Sequence, residues 1–156
     1  YILDIKTGES KKISTNNECI RDFSWSPDSK WLAFVQTAFN SMSQIIVYNI
    51  RDESKFNLTT DRANSFSVKW SPDGKFIYFL SDRSFTTLVG SPWGTRQPEP
   101  YWDASEKLYH VSLEKGTRSP FREDDELMEK SEDKKQKNKE NKVLVSIDKE
   151  GIQSRD

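Results

Sequence analysis

Trp70-Ser71-Pro72-Asp73-Gly74-Lys75 (WSPDGK) has a near copy 45 residues earlier, Trp25-Ser26-Pro27-Asp28-Ser29-Lys30 (WSPDSK). The flanks keep the same ungapped offset. Ile5 falls on Ile50 and Phe34 on Phe79, while Ile13 pairs with Leu58, Phe23 with Val68, Trp31 with Phe76 and Leu32 with Ile77. A hexapeptide recurring by chance would not carry its surroundings along in register. The repeating object is therefore a structural unit of 45 residues.

Within one unit the signals are those of short strands. Phe23-Ser24-Trp25 alternates large apolar with polar, the period of a pleated strand. Ser26-Pro27-Asp28-Ser29 reads as a turn, because Pro presets φ and Asp bonds its own backbone. The following position often needs φ > 0, which suits Gly74; Ser29 in the first copy should strain the turn modestly, or the turn type differs there. Trp31 to Val35 returns as a buried strand, Gln44 to Ile50 is a third, and Lys55 to Thr59 is a short outer one. Phe66 to Trp70, Phe76 to Leu80 and Lys107 to Leu113 continue the series. Four short antiparallel strands per unit, at a period of about 40–50 residues, describe a β-propeller blade. The expected fold is all-β: about three four-stranded blades, partial with respect to a closed ring of 4–8. Trp25 and Trp70 are then expected between neighbouring blades, as buried packing rather than as a ligand platform.

The third unit departs from the period. Matching Tyr109 to Tyr48 and Val111 to Ile50 gives an offset of 61, an insertion of 16 residues within Ser84 to Glu106. Its aromatics and prolines suggest an ordered flap over a blade edge, with a place at the propeller mouth as the sharper alternative. From 123 to 142, 14 of 20 residues are charged, the composition of a solvated linker. Val143 to Asp148 then reads as a new strand. The expected division is blades over 1–122, a charged connection over 123–142, and the first strand of a following domain over 143–156. Tyr1 is not an initiator Met and stands inside a strand pattern, so a longer parent chain is expected.

Composition narrows the function. With 31% charged and 33% apolar residues, the 156-residue chain has a thin core or shares one with missing neighbours. A net charge of −1 gives no electrostatic case for nucleic acid or an anionic membrane. No apolar run reaches the roughly 20 residues that span a bilayer. Cys19 is the sole cysteine and His110 the sole histidine, so no metal-ligand spacing exists and no internal disulfide forms. Asp28 and Asp73 lack the calcium-loop pattern and are explained as turn caps. No nucleophile elbow or phosphate loop occurs. His110 faces away from Tyr109 and Val111, toward solvent or a neighbouring blade. No catalytic, cofactor or metal residue is assigned. The residues singled out are the structural motif itself: Trp25, Ser26, Pro27, Asp28, Trp70, Ser71, Pro72, Asp73 and Gly74.

The Trp-Ser-Pro-Asp-Gly-Lys turn between strands resembles the TolB-like propeller repeat, shared by TolB, prolyl-oligopeptidase-type enzymes and tricorn-type proteases. Ser81-Asp82-Arg83-Ser84-Phe85-Thr86, then Lys107 to Phe121 with its Ser119-Pro120-Phe121 step and the acidic run that follows, resembles the end of the first propeller of tricorn-type serine proteases. Ile147-Asp148, Gly151-Ile152 and Arg155 resemble the opening of the next propeller. The resemblance implies a non-catalytic segment that admits or guides peptides to a serine protease site elsewhere in a parent chain. Its implied partners are peptides or unfolded polypeptide, the remaining blades and the catalytic domains, with homo-oligomerisation of the parent left open. It implies a cytoplasmic protein, or a periplasmic one if the parent carries a signal peptide. The alternative is a TolB-like interaction propeller attached to no enzyme.

Overall fold

The computed structural model describes residues 1–14, 20–84, 105–123 and 143–155. Nine strands occupy them: β1 (Ile2–Leu3), β2 (Ser10–Lys11), β3 (Phe23–Trp25), β4 (Trp31–Thr37), β5 (Ser43–Asn49), β6 (Lys55–Asn57), β7 (Ser65–Trp70), β8 (Phe76–Ser81) and β9 (Lys107–Ser112). All pairings are antiparallel between chain neighbours, in three sheets: β1-β2, β3-β4-β5-β6 and β7-β8-β9. No helix among the described residues is long and apolar enough to cross a membrane.

The middle sheet is one complete blade. β1 and β2 stand where β5 and β6 stand one period later, and so form the outer half of the preceding blade. The third sheet shows three strands. After β9 the chain turns at Glu114–Thr117, where the Thr117 N–H donates to Glu114 O, and no fourth strand follows among the described residues.

Strand pairing corrects the offset of the third unit. Trp31 lies opposite Asn49 and Leu32 opposite Tyr48, while Phe76 lies opposite Ser112 and Ile77 opposite Val111. Val111 is therefore the counterpart of Tyr48, and the offset is 63 rather than 61. The insertion is 18 residues long, the excess of 63 over 45. A slip of two residues leaves every side chain on its own face of a strand, so apolar alternation is blind to it. The hydrogen bonds are not: Ile50 N–H donates to Lys30 O and Leu113 N–H to Lys75 O, each at 2.9 Å. The expected flap within 84–106 lies outside the described residues except at its ends.

The core follows from this stacking. One face of the complete blade, with Ala33, Val35, Ile45 and Val47, packs on Val68, Trp70, Ile77, Phe79, Val111 and Leu113 of the third sheet. Its other face, with Leu32, Phe34, Ile46 and Tyr48, packs on Ile13, Ile2 and Ile20. Phe34 and Phe79, one period apart, are each fully buried. Each such side chain withdrawn from water contributes roughly 1.5–3 kcal/mol, and neither face exists without its neighbour. A one-residue bulge between Phe66 and Lys69 places Ser67 at φ 55° and brings Trp70 back into register opposite Ile77.

Candidate functional site: the paired turns and the segment across them

The two hexapeptides fold into the same turn, bond for bond. Ser26 Oγ donates to Asp28 Oδ1 at 2.7 Å and Ser71 Oγ to Asp73 Oδ1 at 2.6 Å. The same Ser oxygens accept the N–H of Trp31 and of Phe76, both at 2.9 Å. Asp28 Oδ1 also accepts Lys30 N–H at 3.2 Å, and Asp73 Oδ1 accepts Lys75 N–H at 3.1 Å. Ser29 N–H donates to Ser26 O and Gly74 N–H to Ser71 O, closing each turn. Both Ser side chains belong to buried residues, so the Ser-x-Asp pair supplies the partners that buried backbone requires. Ser29 keeps the geometry of Gly74, at φ 58° against 73°. The strain foreseen at Ser29 is present, and the turn type does not change.

The turns sit side by side, and residues 143–145 cross them. Val145 N–H donates to Asp28 Oδ2 at 3.1 Å. A Cβ on Gly74 would stand 2.8 Å from Val145 Cγ2, 3.2 Å from Val143 Cγ1 and 3.3 Å from Pro27 Cγ. From there Asp148 N–H donates to Leu113 O, Val145 and Ile147 pack on the blade core, and Ile152 is buried within it. Arg155 then reaches back to Leu113 O and to Asp148. The strand expected over 143–148 does not form. Its backbone bonds go to a carboxylate and to an isolated carbonyl rather than to a ladder, and Ile152–Ser154 closes the segment as a 3₁₀ turn.

Electrostatics at the turns follow from these bonds. Burial pushes the Asp28 carboxyl up, but the Ser26 hydroxyl, the N–H groups of Val145 and Lys30 and the Lys30 charge together hold it below the usual carboxylate range. The Ser71 hydroxyl lowers Asp73 in the same direction, against its own desolvation and with help from Lys75 N–H and the Lys75 charge. Both carboxyls act as acceptors inside turns, which excludes them as proton donors at neutral pH.

Two further clusters were outside the motif. At the opposite strand ends, Asp82 accepts Asn64 N–H (2.9 Å) and Asn64 Nδ2 (2.7 Å), while Asn64 Oδ1 accepts Ser43 N–H at 3.0 Å. Arg83 bonds Ser81 Oγ and Ser65 Oγ and lies over the rings of Phe79 and Tyr109. Asp82, through Asn64 to Ser43, is thus a tie between two blades, while Arg83 braces the strands of its own sheet. His110 occupies the place of Val47 one unit earlier and is half-buried among Phe76, Tyr78 and Phe121, with ring centroids 5.5–6.1 Å away. Burial lowers its pKa. No group of three or more His, Cys, Asp or Glu side chains placed to hold a metal occurs among the described residues.

Trp70 packs as expected. It is 8% exposed within the interblade core, and its backbone N–H donates to Ser24 Oγ of the neighbouring blade at 3.1 Å. Trp25, expected in the same environment, is 44% exposed. It keeps the same strand position but lines an open apolar groove of about 380 Å³ with Tyr1, Leu3, Ile20 and Phe23. Among the described residues it is β1 with Ile13 and Ile20 that faces it, where Trp70 has the sheet of a complete blade.

A four-stranded antiparallel sheet stacked between a two-stranded and a three-stranded one, with a Ser-x-Asp turn between β3 and β4 and again between β7 and β8, is the architecture of β-propeller blades. The full length, residues 1–156, matches the family model described as the tricorn protease second β-propeller domain. The chain belongs to that family. The resemblance of Ser81 to Phe121 implies the end of the first propeller; the family model that matches describes the second. It is 28% identical over 90 residues to the tricorn protease of Thermoplasma volcanium, covering 53% of this chain and 9% of that protein. It is 31% identical over 101 residues to tricorn protease homolog 1 of Streptomyces coelicolor, covering 62% of this chain and again 9% of the relative. Among solved structures, the crystal structure of the tricorn protease superposes at a TM-score of 0.69 with 21% identity, covering 98% of this chain and 14% of that one. The chain thus spans about a tenth of the length of the curated relatives it matches.

Proposed function

We propose that this propeller segment is the non-catalytic part of a tricorn-like serine peptidase that guides or gates peptides toward a protease site encoded elsewhere in a parent chain. The observation that carries the reading is the match of all 156 residues to a propeller domain of a protease family. The recurring polar residues support it, because Ser26, Asp28, Ser71 and Asp73 are engaged in turn bonds and hold no reacting geometry. Strand ends and loops of a propeller form a rim, and a chain passing through the ring meets that rim before any chemistry.

The division at 122 and 143 belongs to the same proposal, with the first residues of the following unit seated on the blades. Limited proteolysis of the parent is expected to cut within 123–142 and leave the two pieces associated. The reading also makes the parent cytoplasmic, which cell fractionation checks.

Gating is tested with the parent enzyme and two fluorogenic substrates, one short and one long. Arg83→Ala at the strand ends of the third sheet should lower kcat/KM for the long substrate several-fold and leave the short one within about twofold. Equal loss on both substrates refutes gating, and turnover by the isolated segment, free of contaminating protease, refutes a non-catalytic role.

A further inference from the structure

A shallow cleft of about 860 Å³ lies between β6 and the turn that ends the return segment. Its floor is the outer edge of the complete blade, since β6 is the last strand of its sheet. Asn49 N–H donates to Ser54 O, Phe56 lies opposite Val47, and Leu58 N–H donates to Ile45 O. Residues 54, 56 and 58 therefore direct their backbone groups toward β5. By the alternation of an antiparallel ladder, Lys55 and Asn57 direct theirs outward, into the cleft. One of those groups is already engaged: Gln153 Nε2 donates to Asn57 O at 3.1 Å, a side-chain amide standing where the N–H of an added strand would stand.

The walls carry one sign of charge. Lys55, Arg62 and Lys149 line the cleft, and no Asp or Glu does. Lys55 and Arg62 are exposed and form no ion pair among the described residues. Lys149 is held in place, its ammonium 5.7 Å and 5.4 Å from the ring centroids of Trp31 and Phe56. An edge lysine deters pairing with a neutral or basic strand, so the partner it admits is one whose charge answers it.

We propose that this cleft docks an extended acidic peptide as an added strand on β6, its main chain on Lys55 and Asn57 and its carboxylates facing Lys55, Arg62 and Lys149. Strand addition gives affinity through backbone bonds and selectivity through alternate side chains. The proposal stands apart from gating, because the site lies on the outer edge of a blade.

The test is fluorescence anisotropy of the intact parent protein with a labelled octapeptide of alternating Glu and Val. Saturable binding that weakens as salt shortens the screening length is expected. Substituting Lys for Glu in the peptide should abolish it, and the double variant Lys55→Glu/Arg62→Glu should weaken it about tenfold or more. N-methylation of alternate peptide nitrogens, which removes ladder donors and keeps the charge, should also weaken it about tenfold. Gln153→Ala frees Asn57 O and should tighten binding, a gain that misfolding cannot mimic. Absence of binding, equal binding by the double variant, undiminished binding of the N-methylated peptide, or no tightening in Gln153→Ala each overturns the proposal.

Discussion

The two hexapeptides are one turn used in two ways. In the first, the Asp28 side chain is 1% exposed, because residues 143–145 lie over it and Val145 takes its second oxygen. In the second, Asp73 is exposed and, among the described residues, makes only the bonds internal to its turn. Position 29 is exposed and tolerates Ser at a positive φ, while Gly74 is buried beneath Val143 and Val145 and has no room for a Cβ. The repeat dictates the turn. The non-repeating segment that crosses both copies decides which residue in each copy cannot change: the carboxylate in one, the glycine in the other.

The largest expected break in the equivalence concerns the tryptophans that precede the turns. Trp70→Ala should cost about 3–5 kcal/mol, the range for emptying a buried aromatic site. Trp25→Ala at the open groove should cost about 1 kcal/mol or less in this chain. Denaturant titration of both variants gives the contrast. Trp70→Phe should recover most of the loss, since Trp70 Nε1 is buried without a partner among the described residues and its removal strands nothing. Equal losses at Trp25 and Trp70 would show that the interblade seat is not what distinguishes them.

Next comes the glycine. Gly74→Ala combines a left-handed backbone with a contact of 2.8 Å, and should cost about 1–3 kcal/mol. The contact is with the ends of two Val side chains, so the return segment yields first. Hydrogen exchange should speed at the Val145 and Asp148 amides more than in β4 or β5. Uniform acceleration across the blades would mean that Gly74 serves the turn alone.

The carboxylates separate by a smaller amount. Asp28→Asn replaces an ionised acceptor of Val145 N–H and should cost about 1 kcal/mol, with Asp73→Asn costing less. The pH dependence has a definite sign. Both folded pKa values lie below the ordinary 3.8, so the unfolded chain takes up protons first as the solution is acidified. The stabilisation is complete above about pH 4 and is lost as pH falls through the lower folded values. His110 also titrates below its ordinary 6.5, so its loss begins higher, as pH falls from about 6.5. Denaturant midpoints at pH 7, 5 and 3 resolve the two windows, and Asp28→Asn should flatten only the acid one.

Much of this was legible because a repeat is a self-checking signal. WSPD, its flanks and the alternation around them located β3, β4, β5, β7 and β8 to within a residue or two. The misplacement in β9 came from the same source: alternation has period two, and a slip of two residues preserves it. What sequence could not supply was the meeting of residues more than a hundred positions apart. Val145 finds Asp28 across a 117-residue separation, with no pattern to announce it. The interblade tie was half visible, since Ser81-Asp82-Arg83 carried the family resemblance, but its role needed Asn64 and Ser43 brought beside it. The open side of Trp25 was hidden because the repeat predicts the seat and is silent on whether a neighbour fills it.

The smallest prediction is the sharpest test of the comparison, since it asks whether the first turn can be made into the second. Ser29 carries φ 58° with its side chain in solvent, and a left-handed conformation costs a non-glycine residue roughly 1–2 kcal/mol. Glycine removes that strain but gives up about 0.5–1 kcal/mol of backbone entropy. Ser29→Gly should therefore stabilise by about 0.5–1 kcal/mol, read as a small rise in denaturant midpoint. Among the described residues the Ser29 hydroxyl has no bond whose loss would mask the gain, and the turn closes through the backbone bond from residue 29 to Ser26 O, which glycine keeps. Because position 29 is exposed, exchange at the Val145 amide should not change. A slowing there would show that the return segment senses strain in the first turn as well, and that the two copies are coupled rather than merely alike.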